Sequence, residues 1–269
     1  WTNLGYRTNP DTDFEKFDRD TANSSFDIRL LSSPNSRIFN ESTDWISGFY
    51  AKKNKQELTN IRIKNSAFKT NYSNEYNSYS IAAYGEMTST LSETTQITYG
   101  LRIENWNSNH TDSDSFDRDL SETLYGGNIS LNSTFNNNLV YANISRGYKA
   151  GGFNSDSSLE EDQIEFATEY NLSTELGLKS SLLEGALTTS IAVFYIAREN
   201  MQTNNSYTPD KGETYIIAVN NAASGKNYGL ETEGAYVFNE NTTLNLSLGL
   251  LETEITDYIQ PYSNIDISG

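Results

Sequence analysis

At 269 residues, with 36% hydrophobic, 12% aromatic and 20% charged positions, the chain is too polar for a large water-soluble α/β core, where the apolar share reaches about 45–50%. It is also too aromatic for disorder. The net charge of -17 excludes the basic footprint of a nucleic-acid binder, and the absence of Cys excludes thiol catalysis, disulfides and thiolate zinc sites. Two architectures fit a polar, tyrosine-rich chain of this kind: a secreted all-β module, or a membrane β-barrel in which half of every strand is polar.

Strand-type alternation begins near residue 24 and recurs throughout. Ten strands are predicted, over 24–32, 43–52, 78–89, 95–106, 122–134, 139–149, 170–182, 186–198, 215–237 and 243–255. In the fourth, Ile97, Tyr99, Leu101 and Ile103 share one face while Arg102 and Glu104 lie on the other. In the seventh, Leu172, Leu176 and Leu178 oppose Ser173, Glu175, Gly177 and Lys179. In the tenth, Leu244, Leu246, Leu248 and Leu250 oppose Asn245, Ser247 and Gly249. The ninth is long enough to require a bulge near Asn220-Asn221. The longest apolar run, Ile191–Ala197, is strand-length and far short of the ~18 residues of a membrane helix.

The joins alternate in length. Those after strands 3, 5, 7 and 9 are tight: Leu91-Ser-Glu-Thr, Phe135-Asn-Asn-Asn, Leu183-Glu-Gly and Phe238-Asn-Glu-Asn. Those after strands 2, 4, 6 and 8 are long and polar, over 53–77, 107–121, 150–169 and 199–214, and the first join, 33–42, is intermediate. A sandwich has no reason to sort loop length by parity. An up-and-down barrel with short periplasmic turns and long outer loops does. The acid concentrates in the predicted loops: Asp11 to Asp20, Asp112 to Asp119, and Asp156 to Glu165. The Asp112-x-Asp114 run lacks the glycine and the final glutamate of an EF-hand, so these loops read as solvated rather than as ion sites. The single histidine, His110, stands in one of them without a Gly-x-Ser-x-Gly turn anywhere in the chain. It reads as a surface residue, and no catalytic residue, metal ligand or cofactor is assigned.

The segment Tyr141-Ala-Asn-Ile-Ser-Arg-Gly-Tyr-Lys-Ala-Gly-Gly-Phe-Asn154 resembles the strand-to-loop segment of TonB-dependent outer-membrane receptors. Three further segments resemble the family in the same order: Glu175-Leu-Gly-Leu-Lys179, Asn220-Asn-Ala with Tyr228-Gly-Leu-Glu-Thr-Glu233, and Leu246 to Glu254. The resemblance implies an all-β fold: residues 1–269 as part of one antiparallel up-and-down transmembrane barrel domain, about ten strands of a larger, 22-stranded barrel. The signal peptide, plug domain and C-terminal strands are expected to lie outside this segment. It implies a bacterial outer-membrane receptor, not an enzyme, that imports a scarce nutrient such as a ferric siderophore. Its expected partners are the TonB complex, reached through the absent N-terminal parts, the iron chelate or other nutrient, and outer-membrane lipid and lipopolysaccharide; nucleic acid is not among them. A passive porin-like channel and a secreted soluble β module are the alternatives.

On this reading Arg146, Gly147, Gly151, Gly152, Glu175, Gly177, Lys179, Tyr228, Gly229, Glu231 and Glu233 are structural residues of the family motifs. Gly147, Gly151 and Gly152 are expected to let the backbone turn out of the wall, and Tyr148 and Phe153 to sit at the membrane rim. Gly177 and Gly229 are expected to leave room inside the lumen, where the charged residues hold a plug. Tyr148, Lys149, Phe153 and Asn154 are candidate ligand contacts at the outer mouth, with turn geometry and rim anchoring as the other reading.

Overall fold

The computed structural model describes residues 14–64, 67–154, 159–207, 216–260 and 265–266. Ten long strands follow one another, each antiparallel to its predecessor. They are β1 (Phe14–Leu31), β2 (Thr43–Lys64), β3 (Ala67–Thr90), β4 (Thr95–Asp112), β5 (Asp117–Phe135), β6 (Asn138–Lys149), β9 (Glu169–Leu182), β10 (Leu187–Tyr207), β11 (Ile216–Asn239) and β12 (Thr242–Gln260). A two-residue β13 (Ile265–Asp266) adds an eleventh strand to the same sheet. Between β6 and β9 a small separate ladder pairs β7 (Gly152–Phe153) with β8 (Glu165–Phe166), with the single helical turn α1 (Glu161–Ile164) between them. The sheet order follows the chain order, as an up-and-down wall requires.

Cross-strand partners share a face, so the register separates the two surfaces of the wall. One rung runs Ile28–Phe49–Ala83–Ile103–Tyr125, and another Val140–Leu178–Ile191–Thr232–Leu248. The adjacent rungs on the opposite face run Asp27–Tyr50–Ala82–Glu104–Leu124 and Arg29–Gly48–Tyr84–Arg102–Gly126. The first surface is apolar and open: Leu101, Ile103, Leu176, Leu246 and Leu248 are each more than half exposed. Only six hydrophobic residues among those described are buried. A soluble protein does not leave so continuous an apolar face in water, which rules against the secreted-module alternative. Hydrocarbon is the solvent that stabilises it.

The structure corrects the extent of the predicted loops. Most of 53–77 is strand, since β2 runs to Lys64 and β3 begins at Ala67. The 107–121 join shrinks to residues 113–116, and β10 continues to Tyr207. β1 likewise begins at Phe14, so Asp18 and Asp20 are strand residues. Beyond the bilayer both faces of a hairpin meet water, the apolar alternation disappears, and the pairing stays: Lys52-Lys53-Asn54-Lys55-Gln56-Glu57 is paired to both neighbours. Asp11, Asp13 and Asp156 lie outside the described residues. The tight turns hold as expected. At Leu183–Gly185 all three residues take positive φ, 53°, 56° and 91°, the last at a glycine. The expected bulge is present, with register shifts between Arg198 and Thr203 against Asn220–Gly225.

Because Leu176 is 54% exposed between Ala142 and Val193 on the apolar face, Leu176→Arg in the full-length protein is expected to destabilise the lipid-inserted wall by about 2–4 kcal/mol. Leu176→Phe should not. Loss of the heat-modifiable folded band in membrane fractions is the check.

Candidate functional site

The inner face of the wall carries a polar network. Arg102 Nη2 bonds Glu104 Oε2 at 2.7 Å and Arg102 Nε donates to the Tyr148 hydroxyl at 3.1 Å, while that hydroxyl donates to Glu104 Oε2 at 2.8 Å. The Arg102 guanidinium also lies 5.1 Å from the centre of the Tyr50 ring. Beside it, Tyr84 donates to Asp27 Oδ1 at 2.7 Å. Further along, Tyr141 donates to Glu175 Oε1 at 2.6 Å, and Lys179 lies 5.8 Å from the Tyr141 ring. Glu231 and Glu233 occupy the same face of β11.

Two expectations about glycines change here. On three rungs an inner-face glycine lies under the ring of its partner: Gly48 under Tyr84, Gly177 under Tyr141, Gly229 under Phe194. The space that Gly177 and Gly229 leave is filled by the wall's own rings, the known cross-strand cover for a glycine. Gly147, Gly151 and Gly152 take no positive φ, so the chain leaves the wall here without the left-handed backbone that only glycine favours. They permit close approach: a Cβ on Gly151 would lie 2.5 Å from the Phe166 carbonyl oxygen, one on Gly152 2.7 Å from the Phe166 ring, and one on Gly147 2.6 Å from Asn171 Oδ1.

Tyr148 and Phe153 also leave their expected place at the rim. β6 parts from β5 after the Gly127–Arg146 rung while staying paired to β9 as far as Lys149–Glu169. The turn this forces brings Tyr148 over Gly126 and into the Arg102–Glu104 network. Outward-facing aromatics include instead Phe49, Tyr79, Tyr99, Tyr125, Tyr195 and Tyr228. Arg146 stays on the outer face, where its guanidinium sits 3.9 Å from both the Tyr125 and Tyr170 ring centres, which shield its charge.

Residues 150–168, of which 155–158 are not described, fold back as a strap whose feet meet at the Lys149–Glu169 rung. Side chains from three strands tie it down. Glu122 of β5 accepts from Gly151 N at 3.0 Å and from Thr168 Oγ1 at 2.7 Å. Gln202 of β10 donates to the carbonyls of Lys149, Ala150 and Ala167 at 3.3, 2.9 and 3.1 Å. Asn221 of β11 exchanges two bonds with the Ala167 backbone, at 2.6 and 2.9 Å. Glu169 accepts from Arg198 Nε and from Gln202 N, both at 2.9 Å. Asn154, 8% exposed, donates to Val219 O and Gln163 O and accepts from Val219 N, all at 2.8 Å. Its amide is therefore engaged in pinning the strap to β11.

Of the four mouth residues predicted, Lys149 and Phe153 line an open recess of about 470 Å³ under the strap. Tyr76, Trp106, Phe166 and Gln202 line it too and carried no sequence signal; Gln202 lay in a tract read as featureless loop. His110 is buried, at 7% exposure, rather than on the surface. β4 reaches Asp112, which turns His110 inward between Tyr76 and Phe116, with ring centres 6.2 and 5.2 Å away. The acid nearby has local duties: Asp112 Oδ1 accepts from the backbone of Asp114 and Phe116, and Glu161 holds Arg118 through both oxygens.

A family model described as TonB dependent receptor-like, beta-barrel, matches residues 1–268. Among solved structures, the ferric yersiniabactin uptake receptor FyuA from Yersinia pestis superposes with a TM-score of 0.75 at 18% identity, over 91% of this chain and 37% of that one. The copper transporter OprC gives 0.70 at 13% identity, over 94% and 40%. The ferripyoverdine receptor of the Pseudomonas aeruginosa outer membrane gives 0.66 at 16%, over 99% and 37%. The chain thus spans well under half the length of these structures.

Burial holds the His110 imidazole below its usual pKa, against an opposing pull from Asp112. An opened hairpin tip takes up the proton near pH 6.5, the folded one only at lower pH. The stabilisation is therefore complete above about pH 6.5 and is lost as pH falls from there towards the folded value. Hydrogen exchange of residues 106–118, corrected for intrinsic rates, should show more opening at pH 5.5 than at 7.5, and His110→Phe should abolish the difference. An unchanged difference in the variant would contradict the assignment.

Proposed function

The chain belongs to the TonB-dependent receptor β-barrel family, a family of outer-membrane transport receptors, and on that premise we propose that it forms part of the wall and outer mouth of an importer for a scarce nutrient, a ferric siderophore first among them. Residues 1–269 contribute to one barrel domain. Other parts of the polypeptide supply further strands, an interior plug and the segment that engages the TonB complex.

The observation that carries the reading is the match of the barrel model over residues 1–268. The two-faced wall is consistent with it. The outer face is apolar, and the inner face presents ionised groups to an interior that must be polar to meet them. In this reading Tyr148 and Asn154 set the shape of the mouth, Lys149 and Phe153 face the ligand, and Glu175, Lys179, Glu231 and Glu233 face the plug. No bond of the nutrient is made or broken; the work is capture and passage.

In cells dependent on this receptor for iron, uptake of a labelled ferric chelate is expected to fall to background when TonB is deleted. Uptake that persists unchanged, or steady open conductance of the full-length protein in planar bilayers, would contradict the proposal and favour a passive channel.

A further inference from the structure

The recess under the strap has a composition that selects among chelates. At about 470 Å³ it falls within the range of small-molecule sites. Four rings line it, those of Tyr76, Trp106, Phe153 and Phe166, and its one cationic side chain is Lys149. The Gln202 amide is already committed to three backbone carbonyls at the feet of the strap. The indole Nε1 of Trp106 is different: it is buried and has no hydrogen-bond partner among the described residues. An indole N–H can only donate, and buried donors are rarely left unpaired in folded proteins. A second unpartnered atom, Nε2 of His110, lies on the same face of β4, against Tyr76. The recess therefore has flat apolar surface and one positive charge, and one of its lining rings carries an unpaired donor just beneath the surface.

Resting on the import reading, we propose that this recess takes an aromatic arm of a phenolate- or catecholate-type iron chelate. The arm's ring stacks among Tyr76, Trp106, Phe153 and Phe166. Its anionic oxygen faces the Lys149 ammonium and accepts from Trp106 Nε1–H once the indole turns towards the recess. Other chemistries fit less well. A hydroxamate or carboxylate chelate is aliphatic at its donor groups and would leave four ring faces without a flat partner. A free phosphate calls for several convergent donors or a guanidinium fork rather than one lysine. A neutral glycan would stack but has no use for the charge.

The test uses the full-length receptor, purified in detergent, with the iron(III) complex of 2,3-dihydroxybenzoate as probe and ferric citrate and a ferric trihydroxamate as comparisons. Binding is read by calorimetry, with the thermal midpoint of each variant as the check on folding. The catecholate complex is expected to bind more tightly than either comparison. Trp106→Phe keeps the ring and removes the donor, and Lys149→Met keeps the stem and removes the charge; each should weaken catecholate binding at least tenfold with the midpoint unchanged. No catecholate binding, or binding unaltered in both variants, overturns the inference. The import reading is decided separately. TonB-dependent uptake of ferric citrate or the trihydroxamate, without catecholate binding, would sink the recess assignment alone, whereas loss of energised uptake for every chelate would sink the import reading.

Discussion

Hydrocarbon offers a peptide group no hydrogen-bond partner, and each one left unpaired there costs several kcal/mol. That constraint organises the whole chain. Every long strand pairs with at least one neighbour along nearly its full length, from the Phe14–Ile63 rung to the Asn239–Thr242 rung, and where β5 loses its second partner beyond Gly127 it has already passed towards the mouth. Once pairing is fixed, period two does the rest. A one-residue slip anywhere would carry Arg102 and Glu104 to the lipid and Leu101 and Ile103 to the lumen. The register is held against that slip by the cost of an ionised group in the bilayer.

The inner face shows how such a wall satisfies its own polar groups. Tyrosines and carboxylates pair across strands, as Tyr84 with Asp27, and rings lie flat over facing glycines instead of projecting inwards. The inner surface is therefore low in relief, with polar groups laid along the wall. At the mouth the logic inverts. β6 parts from β5, the ladder opens, and the backbone groups of the strap need partners that no neighbouring strand supplies. Glu122, Gln202, Asn221 and Asn154 supply them by side chain. The same departure produces the recess, since Trp106 and Tyr76 remain on the wall while Phe153 and Phe166 come from the strap.

Strand number, order and facing were legible in the sequence wherever lipid lies on one side, because there the solvent writes alternation into the residues. The paired hairpin extensions were not. Water accepts polar residues on both faces, so 52–60 and 107–112 carry no period and pass for loop. The ordered motifs located the mouth at Tyr148–Asn154, but roles within it depended on the parting of β6 from β5, which no local pattern encodes. Tyr148 looked like a rim residue and became a network member; Asn154 looked like a ligand contact and became a pin. Gly177 and Gly229 looked like vacant space because the rings covering them come from other strands. Gln202 and Trp106 have no local signal at all, since their importance arises from contacts with a segment dozens of residues away.

The central claim is that β4 has one lipid face within the membrane and two wet faces beyond it. Residues 1–269 contain no cysteine, so, with any cysteine elsewhere in the full receptor replaced by serine, single cysteines at successive positions from Ile97 to Thr111 can carry spin labels without background. Accessibility to oxygen should peak at 97, 99, 101 and 103, with a nickel chelate excluded there, and the alternation should fade from about residue 107 onwards. Uniform access of the nickel chelate to labels at Leu101 and Ile103 would show that this face meets water, and would contradict the account.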